Sequence, residues 1–234
     1  DAAFDSMYVV VEFENGLSFY KGDKLIKNVS LPAPVGSFTQ INDSIYFASL
    51  YDTRLLFLHR KGFDFTIINE LLSPGYMTAF KIFNNTLYVR DADSGLTVFK
   101  NPYVNDAHIT YPELKFAENF FADSSFIYLE GTNLLQVRKL KNFLPDEEIF
   151  GELPGSLKTL KAGNGRILIN RDNRIELLDN EFNLLDSVAI ASNVKVASDD
   201  GENLYMLTTD NKIIRLQYSG GDHLKITGNY DLDF

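Results

Sequence analysis

The chain of 234 residues has no cysteine, which excludes a disulfide framework, thiolate chemistry and Cys-ligated metal sites. With no tryptophan there is no indole to stack on a ligand. Three histidines, His59, His108 and His223, lie far apart, at no spacing that makes a metal pair or a nucleophile and its base. No apolar run approaches the ~20 residues that a membrane helix needs, so we read the chain as soluble, with no membrane insertion. Basic residues are in deficit, 22 Lys and Arg against 32 Asp and Glu, for a net charge of -10. Such a field repels nucleic acid and suits a basic protein or peptide, or a cation. Helical patterning is lacking as well, since no helix-length segment carries apolar residues at 3.6 spacing between caps.

What is present is a repeat. A turn of Asp, Asn, Ser or Gly is followed by an apolar residue, a tyrosine and another apolar residue at Met7-Tyr8-Val9, Ile45-Tyr46-Phe47, Leu87-Tyr88-Val89, Ile127-Tyr128-Leu129 and Leu204-Tyr205-Met206, with Leu168 replacing tyrosine in the remaining copy. Successive copies lie 37 to 42 residues apart. Each leads at hairpin distance to a second apolar run, such as Leu55-Leu56-Phe57-Leu58 or Ile175-Glu176-Leu177-Leu178. Gly, Asn and Pro punctuation follows, then two further runs. Four short antiparallel strands per ~40 residues describe one propeller blade. The expected fold is therefore all-β: a six-bladed β-propeller of four-stranded antiparallel blades. It forms a single domain over 1–234, with blades near 1–34, 35–75, 76–117, 118–155, 156–191 and 192–234. A β-sandwich or a β-solenoid is the competing architecture, and the regular period favours blades.

The turn and strand pattern, clearest in Ser198-Asp199-Asp200-Gly201-Glu202-Asn203-Leu204-Tyr205 and its continuation to Leu216, resembles the repeats of the NHL, YVTN and gluconolactonase-like group of propellers. The resemblance implies a fold rather than a function. Without tryptophan, the Trp-Asp ending of WD40 repeats and the Tyr-Trp-Thr-Asp repeats of receptor propellers are missing.

In such a fold, the loops between second and third strands share one face with the crossings from one blade to the next. Those loops carry Glu12, Glu14, Asp52, Asp91, Asp93, Glu130, Asp172 and Asp210, with Arg54 and Arg174 among them. Acidic residues are ordinary turn formers, so a solvated rim of paired charges competes with a binding site. The candidate binding set is Tyr51, Asp52, Arg54, Asp91, Asp93, Asp172, Arg174 and Asp210, joining an aromatic anchor to charges of both signs. Tyr76 and Phe38 lie near it, Phe38 as core. Gln40, Lys81, Asn119, Lys158, Lys161 and Lys195 are the polar residues of the first strands, and their three lysines in the later blades disfavour a bare divalent-ion site.

The repeated tyrosines are read as packing between blades, against the alternative of an aromatic platform. No nucleophile elbow, P-loop or dinucleotide fingerprint is present, and no catalytic or metal residue is assigned. The leading reading is a non-catalytic interaction module that binds a protein or peptide through loops on one face. The alternative is a gluconolactonase-like, metal-dependent hydrolase. Its calcium would need six to eight converging oxygens, which acids spread over six loops permit without demonstrating. No cofactor is assigned. Sequons at Asn28, Asn42 and Asn84 arise often by chance in an Asn-rich chain. Opening on Asp1 rather than Met suits a trimmed fragment of a larger chain or complex, or a processed secreted protein.

Overall fold

The computed structural model consists of six four-stranded antiparallel sheets. It describes residues 2–4, 7–12, 16–62, 64–104, 107–199, 202–218 and 223–232, with side chains described at 16–62, 64–104, 107–198, 202–218 and 223–232. Glu14, Asp5-Ser6, Asp200-Gly201, Ser219-Gly220 and the side chains of Tyr8, Glu12 and Asp199 lie outside the described residues.

The first sheet contains Ala2–Phe4, Met7–Glu12, Gly16–Lys21 and Lys24–Ser30, and the second Val35–Gln40, Ile45–Leu50, Arg54–Lys61 and Asp64–Leu72. The third contains Met77–Phe83, Thr86–Asp91, Gly95–Lys100 and His108–Tyr111. Asn119–Ala122, Phe126–Gly131, Leu134–Lys141 and Leu144–Pro154 form the fourth, and Lys158–Gly163, Arg166–Arg171, Arg174–Asp179 and Leu184–Ala189 the fifth. The sixth contains Val194–Asp199, Asn203–Thr208, Lys212–Gln217 and Lys225–Asp231. Strands pair in chain order within every sheet. The chain falls into two compact units, Asp1–Lys115 and Phe116–Phe234, of three sheets each.

Turn chemistry explains where each strand stops. Two-residue hairpins at Asn84-Asn85, Asn142-Phe143, Asn164-Gly165 and Asp172-Asn173 place both residues at positive φ, between 45° and 71°. These backbones match the right-handed twist of the flanking strands, and Asn, Asp and Gly tolerate them best. Ahead of the tyrosine motif, Asn42 and Asp123 close the turn with a side chain. Asn42 Oδ1 accepts from the amides of Ser44 and Ile45 at 3.1 and 2.9 Å, and Asp123 Oδ1 from those of Ser125 and Phe126 at 2.7 and 2.8 Å. The third and fourth strands share a register shift in five of the six sheets, at Phe19/Tyr20, Phe57/Leu58, Val137/Arg138, Leu177/Leu178 and Arg215/Leu216. Such a bulge sharpens the local twist.

Both faces of a sheet pack. In the first unit, Tyr46, Ala48, Leu56 and Leu58 join Leu17 and Phe19 of the first sheet, while Phe47, Leu55 and Phe57 join Leu87, Val89 and Phe99 of the third. In the second unit, Tyr128, Leu135 and Val137 meet Ile167 and Ile169, and Leu168, Ile175 and Leu177 meet Leu204, Met206 and Ile214. Tyr46, Tyr88 and Tyr128 are fully buried, so the packing role holds for them.

Two departures qualify the repeat. Tyr46 faces the preceding sheet and Tyr128 the following one, because the motif of the second sheet is displaced by one residue and a displacement of one reverses every side chain. Tyr205 is 37% exposed, with the Arg215 guanidinium 6.0 Å from its ring centre. Its neighbours Leu204 and Met206 turn toward the fifth sheet, so Tyr205 occupies the opposite face.

Candidate interaction face

In each unit, backbone hydrogen bonds tie the second-to-third-strand turn to the segments that enter and leave the sheet. In the second sheet, Tyr51 N donates to Pro34 O and Ser73 N to Thr53 O, both at 3.0 Å. Gly155 N to Asn133 O, Ile190 N to Asn173 O, Thr209 N to Asn193 O and Leu232 N to Asn211 O repeat the arrangement at 2.8 to 3.1 Å. These loops therefore share one end of their sheet. The backbone there is held in place, and side chains on it project from a fixed support.

Within the first unit, the turn after Leu50 carries Tyr51, Asp52 and Arg54. Asp52 Oδ2 accepts from Arg54 Nε at 2.7 Å and Nη2 at 2.5 Å, while Oδ1 accepts from the Arg54 amide at 3.3 Å. The side-chain bond from Arg54 holds the Asp52 carboxyl below the usual carboxylate range. Arg54 also donates to Pro32 O at 3.2 Å and lies 3.9 Å from Glu70. Tyr51 projects from this clamp and stacks on Tyr76, with ring centres 5.8 Å apart and planes at 22°. Both rings are nearly half exposed, at 44% and 48%.

Asp91 is the sequence candidate that the structure removes from the surface. It is completely buried: Oδ1 accepts from the amides of Asp93 and Ser94 at 3.0 and 2.5 Å, closing the turn 92–94. The Cα of Gly75 lies against this carboxylate, and a Cβ there would come within 2.7 Å of Oδ1. Asp91 thus shapes the loop that presents Tyr76, while Asp93 remains exposed.

In the second unit, Asp172 is exposed at the apex of its hairpin, where positive φ explains the residue type. Arg174 donates to Ser187 Oγ at 2.7 Å. Asp210 accepts from Ser192 Oγ and, at 2.6 Å, from Thr208 Oγ1, and these bonds hold its carboxyl below the usual range. Lys158 donates to Lys195 O, and Lys195 to Asn211 Oδ1 at 2.9 Å. Phe38 is half-buried against the core of the second sheet, stacked on Tyr46 at 5.3 Å. Among the described residues, no three His, Cys, Asp or Glu side chains converge.

Glu130, at the end of the second strand of the fourth sheet, has a different role. Its Oε2 accepts from Thr159 N at 2.8 Å, joining the fourth sheet to the fifth. Burial raises its carboxyl above the usual range despite that bond. The folded state therefore binds this proton more tightly than the unfolded one. The favourable contribution is present below the ordinary glutamate pKa and is lost as pH rises through the raised value. Glu130→Gln keeps an acceptor for Thr159 and removes the buried charge. We expect its unfolding midpoint to exceed the parent's at pH 7, with the gain shrinking toward pH 4 in parallel thermal melts; an equal gain at both pH values would contradict this.

Sequence reading missed Tyr76 as a partner of Tyr51. The available signal was Ser73-Pro74-Gly75-Tyr76, whose Pro and Gly mark a crossing that returns to the same end. No family model and no curated protein matches the chain. Solved structures do. Saccharomyces cerevisiae Sqt1 superposes with a TM-score of 0.68 at 13% identity, over 97% of this chain and 70% of that one. A functionally unknown protein from Desulfotomaculum acetoxidans gives 0.68 at 14% identity, over 94% and 78%. Kluyveromyces lactis Hsv2 gives 0.62 at 10% identity, over 91% and 71%. Sqt1 and Hsv2 are WD40 β-propellers. At these identities the likeness concerns fold alone, and it identifies the six four-stranded sheets as the blades of a β-propeller.

Proposed function

We propose that this chain is a non-catalytic interaction module that binds a protein or peptide through the turns and crossings at one end of its blades. The observation that carries this reading is the Tyr51–Tyr76 stack. Two large rings are held on separate segments, one on the Tyr51 backbone tied to Pro34 and the other three residues after the Ser73 amide tied to Thr53, and both rings remain nearly half exposed. Rigid aromatic groups of this kind supply contact area at little entropic cost, which is why tyrosine is enriched at interfaces. The chemistry of the acids supports the same reading. Asp52, Asp91 and Asp210 are engaged in turns and ion pairs, and Asp93 on the first unit and Asp172 on the second are exposed, each adding negative charge to its own unit. Such charge suits a basic partner.

Capture from an extract of the source organism tests the reading, with partners identified by mass spectrometry. The parent chain is compared with a variant carrying Asp93→Asn and Asp172→Asn, at low and at physiological salt. A partner is expected on the parent, with faster association at low salt and a smaller salt dependence in the variant. Chelation of divalent cations is expected to leave capture unchanged. Tightly bound stoichiometric calcium together with turnover of a lactone would overturn the proposal.

A further inference from the structure

We infer that the Tyr51–Tyr76 pair is a subsite for a cationic side chain of the partner, arginine above all, with Asp93 as its counter-charge. The inference rests on the partner-binding reading and adds the chemistry of the group that is bound. Three features of the site lead to it.

First, both residues are nearly half exposed, and the face of a tyrosine ring carries the negative side of the aromatic quadrupole, which attracts a cation placed over it. The stack fixes their orientation, so the site is organised before the ligand arrives.

Second, the local charge is negative although two cations are already present, Arg54 and Arg90, the latter donating to Thr78 Oγ1 at 2.7 Å and offset in charge by Asp91. The Arg54 guanidinium is neutralised by Asp52 and also faces Glu70, so one negative charge is in excess in that group. Asp93 adds another from the neighbouring turn. That turn wraps the Asp91 carboxylate, which lies against Gly75, the residue before Tyr76. These contacts make the turn that bears Asp93 and the crossing that bears Tyr76 neighbours within the first unit.

Third, the shape selects among cations. A planar, weakly hydrated guanidinium can lie flat on a tyrosine face while its edge donates to a carboxylate. A lysine ammonium is a compact, strongly hydrated charge and gains less from a flat ring.

The test uses the whole chain with 13C-labelled tyrosine rings, Tyr51 and Tyr76 being assigned among the 12 tyrosines from Tyr51→Leu and Tyr76→Leu. The probes are N-acetyl-arginine amide, the isosteric but neutral N-acetyl-citrulline amide, and N-acetyl-lysine amide. Arginine is expected to shift both rings saturably, lysine to bind more weakly and citrulline to leave them in place. Asp93→Asn should weaken the arginine titration by about 2- to 5-fold, as for an exposed charge-assisted contact. Each leucine variant loses one half-buried ring and the stack, so its unfolding midpoint should fall by no more than a few degrees, and a cooperative melt in that range identifies a loss of binding as local. Equal shifts from arginine and citrulline, or an arginine titration unaltered by Tyr76→Leu, would overturn the inference.

The two proposals fail separately. If Tyr76→Leu abolishes partner capture while arginine moves neither ring, the face binds its partner by other chemistry and the cation subsite is refuted. If arginine moves both rings but capture survives Tyr76→Leu, the subsite stands and the partner-binding role of this face falls.

Discussion

Replacing Gly95 by alanine is expected to destabilise the fold by more than about 3 kcal/mol, the range reached when a backbone conformation and a close approach are violated together. Gly95 has φ near +95°, a region that a residue with a Cβ rarely adopts. A Cβ built there would lie 2.4 Å from the Tyr111 carbonyl oxygen and 3.2 Å from both Lys115 N and Pro112 Cα. All three are backbone atoms, so no side chain can rotate away. The conflict falls where the turn 92–94 meets the end of the third sheet, and relief would require the third and fourth strands of that sheet to separate. Urea unfolding of the parent and of Gly95→Ala measures the effect. A change below about 1 kcal/mol, the centre of the range for point substitutions in general, would show that this junction is looser than the geometry indicates.

Asp123→Ala is expected to cost about 3 to 4 kcal/mol, the sum of lost charge-assisted hydrogen bonds and donors left unpaired. The Asp123 carboxylate is buried and accepts four donors. Oδ1 takes the amides of Ser125 and Phe126, and Oδ2 takes Asn164 N at 2.7 Å and the Tyr128 hydroxyl at 3.1 Å. One side chain thus closes the first hairpin of the fourth sheet, locks the tyrosine of the repeat and ties on the first hairpin of the fifth. At a chain length of 234 residues the loss corresponds to a midpoint about 6–16 °C lower. Asp123→Asn keeps one oxygen for the turn but turns an NH2 toward the Asn164 amide, so it should recover only part of the loss. Tyr128→Phe removes one of the four bonds and should cost about 1 kcal/mol. A melt in which Asp123→Ala matches Tyr128→Phe would show that the turn and hairpin bonds carry no weight.

Much of the fold was legible because strand, turn and period are local. Asn42 and Asp123 close turns ahead of the tyrosine motif, and the Asn-Asn, Asn-Gly and Asp-Asn pairs sit at hairpin apices where positive φ demands such residues. Which face each tyrosine takes was not legible. Ile45 and Phe47 flank Tyr46 as Leu87 and Val89 flank Tyr88, and when both faces of a sheet are buried the sequence does not alternate in a way that marks either one.

The candidate face was legible as a set of loops but not in its members. Asp91 and Asp93 are identical residues two positions apart, yet one is buried in a turn and the other exposed, a division set by the close approach of Gly75 from another strand connection. The pairing of Tyr51 with Tyr76 likewise depends on two segments meeting at one end of the blades, which no local pattern encodes.

The most direct test of the account is the affinity of the captured partner for three purified forms of the chain: the parent, the double variant Tyr51→Leu with Tyr76→Leu, and a control carrying Asp43→Ala with Glu181→Ala. Asp43 and Glu181 are exposed in turns at the other end of their sheets, between first and second and between third and fourth strands. Removal of two aromatic anchors is expected to weaken binding by at least about 30-fold, as for residues worth 2 kcal/mol or more at an interface. The control should bind like the parent. An unchanged affinity in the tyrosine variant together with a loss in the control would place the partner at the opposite end of the blades and contradict the account.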